Sequence, residues 1–171
     1  MVAFAERQAS HILQKKMPSG TYTQLYIHII FAVKGRESLI RQEWEENLYK
    51  YITGVVQNKG HKMIAINGVQ DHIHILIGQN AIESLSELVR EVKKVSSVFI
   101  KEKGYSKRFY WQSGYGAFSC SRSSLDQVIA YIDRQKEHHS TKSFREEYRA
   151  FLERYGIDYD ERYLFEEVRN S

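Results

Sequence analysis

The chain has 171 residues, 42% hydrophobic and 27% charged, with one proline and one cysteine, which suffices to bury the core of one domain and is cramped for two. The lone Cys120 excludes an intrachain disulfide and a cysteine-based zinc site. No apolar run reaches the ~20 residues that cross a bilayer, and the opening MVAFAERQASHILQKK lacks a signal-peptide block, so a cytoplasmic protein with no membrane partner is expected. A net charge of +4 and a pI near 9.0 are compatible with a nucleic-acid partner without requiring one.

Residues 1–20 differ in texture from the remainder of the chain and are read as an N-terminal extension, an arm or helix, with Met17 as an alternative start; residues 21–171 are read as one domain. From Tyr22 to Val33, Leu25, Ile27, Ile29, Phe31 and Val33 alternate with Tyr26, His28 and Ile30, which predicts a central strand with two rather apolar faces. After the basic turn KGRES, Trp44, Leu48, Tyr51, Ile52 and Val55 fall at helical spacing, and Gly60 ends that helix. His61 to Gly68 and His72 to Ile77 predict two strands around the turn residues GVQD.

Ser84-x-x-Glu87 has the form of a capping box opening a second helix, with Leu85, Leu88, Val89, Val92, Val95 and Phe99 inside and Gly104 at its end. The run FYWQSGYGAFS, Phe109 to Ser119, predicts a fourth strand in which Gly114 and Gly116 mark a bulge or a close backbone approach. Ser123 to Asp126 caps a third helix through about His139. Ser143-x-x-Glu146 caps a fourth, with Phe144, Tyr148, Phe151, Leu152 and Tyr155 on one side and Gly156 closing it. The order βαββαβ predicts an α+β, ferredoxin-like (RRM-like) antiparallel sheet with a C-terminal helical extension, a fold that hosts many functions.

Residues 71–76 read DHIHIL. Residues two apart on a strand point the same way, so His72 and His74 share one face and Ile73, Ile75 and Ile77 the other. Two imidazoles so placed can converge on one metal ion, or simply hydrogen-bond in a half-buried strand. On the third helix, Leu125, Val128, Ile129 and Ile132 form a core stripe, and Tyr131 and Gln135 are neighbours one turn apart on its flank. That pair carries little information alone and gains it from its place after the fourth strand.

Taken in order, DHIHIL resembles the HUH motif (His, hydrophobic, His), WQSGYGAFS resembles the strand that comes after it, and YIDRQ resembles the catalytic-helix motif Y-I-x-x-Q of the single-tyrosine HUH transposases of bacterial insertion sequences, the insertion sequence 200/605 group. The resemblance spans Tyr22 to Phe165. It implies that His72, His74 and Gln135 ligate a divalent ion, Mg²⁺ or Mn²⁺, and that Tyr131 is the nucleophile forming a covalent 5′-phosphotyrosine. It also implies single-stranded DNA with hairpins at transposon ends as substrate, and a homodimer with composite active sites. Gln70 stands where relatives often have proline, which alters the turn and leaves the ligands in place.

Lys34, Arg36, Arg90, Lys93, Lys94, Arg108 and Arg122 are candidate DNA contacts, supplying salt-dependent phosphate affinity. A catalytically retired hairpin-DNA-binding protein is the alternative expectation. An RNA-binding ferredoxin-like domain is a third, weakened because the aromatic RNA-binding strand signature is absent.

Overall fold

Alternating β-branched and aromatic residues form the central strand β1 (Tyr26–Ala32), and the chain then takes the expected order. The computed structural model describes residues 19–139 and 143–164; the extension read at residues 1–16, and Met17, lie outside them. After a single 3-10 turn at Lys34–Arg36 come α1 (Gln42–Asn58), β2 (Lys62–Val69), β3 (His72–Gly78), α2 (Leu85–Glu102) and β4 (Gly116–Cys120). A second 3-10 turn, Arg122–Ser124, leads into α3 (Leu125–Asp133), α4 (Gln135–His138), α5 (Phe144–Arg154) and α6 (Glu161–Leu164). The four strands are antiparallel in the order β2-β3-β1-β4. The architecture is α+β, as the sequence predicts.

The alternation decides what each face of the sheet buries. Ile29, Phe31 and Val33 of and after β1 join Ile73, Ile75 and Ile77 of β3 under Trp44, Leu48 and Ile52 of α1 and Leu88, Val89 and Val92 of α2. Both helices are amphipathic, and α2 is started by Ser84, whose hydroxyl accepts from the Glu87 backbone N–H. The opposite face carries His28, Ile30, Ala32, His72, His74, Leu76 and Phe118, and the C-terminal helices close over it.

Strand register lines up one row across that second face. Asn67 pairs with His74, His74 with Ile30, and Ile30 with Gly116. Each member has a distinct task. Asn67 Nδ2 donates to the carbonyls of Ile132 and Asp133 at 3.0 and 2.9 Å. Gly116 makes room for α5, since a Cβ there would lie 2.8 Å from Tyr148 Cε2 and 2.9 Å from Phe118 Cε2. The glycine is therefore a close-approach site, one of the two readings its sequence context allowed.

Three boundaries differ from the sequence expectations. β1 begins at Tyr26 rather than Tyr22. β4 is confined to Gly116–Cys120, because the aromatic residues ahead of it fill the core instead of extending the ladder. Trp111 makes one isolated bridge to Val33, its indole N–H donates to Ser96 Oγ at 2.8 Å, and Phe109 is fully buried. The third helix does not run unbroken to His139. Arg134, at φ −94° and ψ 18°, separates α3 from α4, and the inserted Asn67 amide takes the carbonyls that would continue the helical ladder.

α5 starts at a full capping box, in which Ser143 Oγ accepts from the Glu146 N–H and the Glu146 carboxylate accepts from the Ser143 N–H. Among the described residues no helix is long and apolar enough to cross a membrane.

Candidate active site

The two DHIHIL histidines are fully buried on the face covered by α3–α5. Their outer nitrogens are each held from behind. His72 Nδ1 donates to Asp71 Oδ1 at 2.7 Å, and His74 Nδ1 shares a 3.0 Å hydrogen bond with His28 Nε2. Asp71 is itself gripped by Arg36, whose Nε lies 2.9 Å from Oδ2. Both Nε2 atoms are thereby turned toward the covering helices, with a carboxylate behind His72 that fixes its ring and raises its basicity.

The helix side answers with an acid. Glu147, on the buried stripe of α5, is 4% exposed. Its Oε2 lies 3.5 Å from both His72 Nε2 and His74 Nε2 and 3.1 Å from His139 Nε2. Its Oε1 accepts the hydroxyl of Tyr131 and the amide of Gln135, the latter at 3.2 Å. His139 Nε2 is in turn 3.0 Å from His72 Nε2. The candidate nucleophile and the candidate metal ligands therefore share one carboxylate.

Charge states are set by these contacts. Burial alone would raise the Glu147 carboxyl, but its bonds to His72 and His74 bring it down to about 2. Asp71 is likewise opposed by burial and brought to about 2 by His72 and Arg36. His72 resists burial through its bonds to Asp71 and Glu147, and its pKa is raised. His74 and His28 are lowered, chiefly by burial. Two anions thus face a cluster with neutral imidazole nitrogens available.

That donor set fits a divalent cation. His74 Nε2 and Gln135 Oε1 are buried and have no hydrogen-bond partner among the described residues, which is rare for interior polar atoms and calls for a partner. The ligating atoms of His72, His74, His139 and Glu147 all lie within 4.8 Å of one another. Neutral imidazole with carboxylate or amide oxygen suits Mn²⁺ and its later neighbours better than Mg²⁺. An open cleft of about 510 Å³ borders the cluster, lined by Arg36, Gln70, Asp71, Lys136, His139 and Phe144 among others.

All four residues expected from sequence at the catalytic centre, His72, His74, Tyr131 and Gln135, lie in this cluster. The basic residues are scattered. Arg36 is committed to Asp71 and lies 4.3 Å over the Phe144 ring. Lys93 donates to the carbonyls of Gln112 and Gly114, and burial lowers it to about 8. Arg90 pairs with Glu87 on the solvent side of α2, and Lys94 is exposed on the same helix. Lys34 is exposed at the β1–α1 turn, and Arg108 approaches Glu37 of that turn at 3.7 Å. Arg122 is exposed beyond β4. Sequence reasoning missed Glu147, and placed His139 toward the core stripe. The available signal was a carboxylate on the apolar stripe of Phe144, Tyr148, Phe151 and Leu152.

A family model described as "Transposase IS200 like" matches residues 21–135. The chain belongs to the IS200-like transposase family. This transposase is 24% identical over 132 residues to the ISDra2 transposase TnpA of Deinococcus radiodurans, across 73% of this chain and 94% of that relative. Its fold is similar to the crystal structure of a candidate transposase from D. radiodurans, with a TM-score of 0.56 and 21% identity over 70% of this chain and 97% of that one. It is also similar to a REP-associated tyrosine transposase bound to a REP hairpin, with a TM-score of 0.54 and 17% identity over 72% of this chain and 74% of that one. His139 and Glu147 lie beyond the segment that the family model matches.

Proposed function

We propose that this transposase cleaves and rejoins single-stranded transposon-end DNA through a covalent 5′-phosphotyrosine at Tyr131, recognising hairpins at those ends. The observation that carries the reading is the shared carboxylate: Glu147 engages the Tyr131 hydroxyl with one oxygen and approaches both DHIHIL histidines with the other. The hairpin carried by the related REP-associated transposase supports the substrate class.

His72, His74 and Gln135 are the residues that hold the ion, Mg²⁺ or Mn²⁺; when bound, it polarises the scissile phosphate and stabilises charge on the departing oxygen. A free phenol has a pKa of about 10, so roughly one in a thousand is ionised at pH 7 and the nucleophile needs an acceptor for its proton. Glu147 Oε1 is hydrogen-bonded to that proton and orients the phenolic oxygen. Attack by the Tyr131 oxygen forms the phosphotyrosine ester and releases a 3′-hydroxyl. The ester keeps the energy of the broken bond, so a second 3′-hydroxyl can displace Tyr131 and rejoin the strand without ATP.

In the described chain Tyr131 meets the histidines of its own subunit, so one chain supplies every group named. A homodimer with composite sites would exchange the α3–α5 segment and rebuild the same contacts between subunits.

The test is a denaturing gel of hairpin DNA from the element's own ends, with Mg²⁺, Mn²⁺ or EDTA, comparing the native chain with Tyr131→Phe. A metal-dependent adduct lost in Tyr131→Phe is expected. An undiminished adduct in the variant contradicts the assignment, and DNA binding with no adduct under either metal leaves a hairpin-binding protein.

A further inference from the structure

We propose that His139 and Glu147 are direct ligands of the divalent ion, so that the C-terminal segment beyond the family-matched region completes the metal site begun by His72 and His74. This rests on the reading that the DHIHIL pair holds a cation. It extends that reading by adding a third imidazole and an anionic oxygen, and by tying α5 to the metal.

The spacing of the donor atoms carries the inference. Metal bonds of about 2.0–2.1 Å in a tetrahedral site imply ligand-to-ligand edges of about 3.3–3.4 Å. The observed separations are 3.0 Å for His72 Nε2 to His139 Nε2, 3.1 Å for His139 Nε2 to Glu147 Oε2, and 3.5 Å from Glu147 Oε2 to each of His72 Nε2 and His74 Nε2. Four donors thus stand about one tetrahedral edge apart along these contacts.

Three imidazole nitrogens and a carboxylate oxygen, largely withdrawn from water, form an arrangement that a central cation satisfies. His74 Nε2 makes the point most directly: it is fully buried, unpartnered among the described residues, and faces the carboxylate at the outer limit of hydrogen bonding. The rings of His72 and His74 are also held for ligation, because Asp71 and His28 occupy their other nitrogens.

This ligand set has two consequences. Three imidazoles and one carboxylate select Mn²⁺, Co²⁺ or Zn²⁺ over Mg²⁺, which prefers oxygen donors and retained water. The second oxygen of the same carboxylate holds Tyr131, so metal occupancy and the position of the nucleophile are linked through one side chain.

The experiment is calorimetric titration of the full-length, EDTA-stripped chain with Zn²⁺ and Mn²⁺, together with the visible spectrum of the Co²⁺ form, for the native chain, His139→Gln, Glu147→Gln and His72→Ala. The native chain is expected to bind one ion with the intense bands of four-coordinate Co²⁺. His139→Gln and Glu147→Gln are each expected to weaken Zn²⁺ binding by about tenfold or more and to bleach those bands. Should Glu147→Gln fail to fold, His139→Gln at the less buried edge carries the test alone. Native affinity and spectrum in both Gln variants, with binding lost in His72→Ala, overturn the added ligands while the DHIHIL site stands. No uptake by the native chain overturns both.

Discussion

Replacing Asp71 by Asn is nearly isosteric and removes one negative charge from behind His72. In the native chain Asp71 Oδ1 accepts from His72 and Oδ2 from Arg36, and an amide cannot accept on both sides, so one donor loses its partner. Despite burial, His72 and Arg36 bring the carboxyl from an ordinary 3.8 to about 2. At about 1.4 kcal/mol per unit, that shift contributes about 2 kcal/mol at neutral pH. For a chain of this size the loss lowers Tm by about 4–8 °C.

The sign is set by the depressed pKa. The contribution is complete above the unfolded-state value of 3.8, disappears as pH falls through about 2, and is reduced to about half by pH 3. Urea unfolding of the EDTA-treated native and Asp71→Asn proteins at pH 7 and pH 3 reads the gap directly. Because Asp71 also orients His72, the variant should bind Mn²⁺ about 10–100-fold more weakly. Equal Tm values at pH 7 with an unchanged Mn²⁺ affinity would refute the reasoning.

Gly116→Ala drives a methyl group into Tyr148 and Phe118 and should destabilise the protein by about 1–3 kcal/mol; a melting temperature equal to that of the native chain would mean that α5 does not seat against β4. Asn67→Ala frees the Ile132 and Asp133 carbonyls at about 1–3 kcal/mol, and hydrogen exchange across residues 132–138 should accelerate relative to α2. His28 and His74 are held neutral by burial, so the unfolded chain takes up more protons below pH 6.5 and the metal-free protein should lose up to about 1.4 kcal/mol per pH unit for each group. His72, raised instead, adds stability that is complete below 6.5 and fades as pH rises through its folded value. A urea midpoint at pH 5.5 no lower than that at pH 7.5 would contradict the burial of neutral His28 and His74.

The elements written in local periodicity were legible. The alternation in β1 and β3, the stripes of α1 and α2, and the Ser143–Glu146 capping box each depend on residues within a turn or two of one another, and together they specify the ferredoxin-like order. The break at Arg134 was not legible, because the amide that causes it comes from Asn67, on a strand more than sixty residues earlier. The aromatic run from Phe109 has strand propensity, but Gly114 at φ 72° turns the chain and the rings are spent on the core. At the site, His72, His74, Tyr131 and Gln135 were readable as an ordered pattern. Glu147 was hidden behind its neighbour Glu146, which has the obvious local role of capping the helix. A lone acid on an apolar stripe declares itself only when the facing strand is known to present histidines. Arg36 shows the converse: a basic turn residue that reads as a phosphate contact is used to fix Asp71.

The proposed chemistry turns on one oxygen atom among 12 tyrosines. The most direct measurement is to form the adduct on hairpin DNA with Mn²⁺, digest with nuclease and trypsin, and locate the residual nucleotide by tandem mass spectrometry. A nucleophilic Tyr131 predicts the added mass on the tryptic peptide 123–134, at that residue. A nucleotide on any other tyrosine, with peptide 123–134 unmodified, would contradict it.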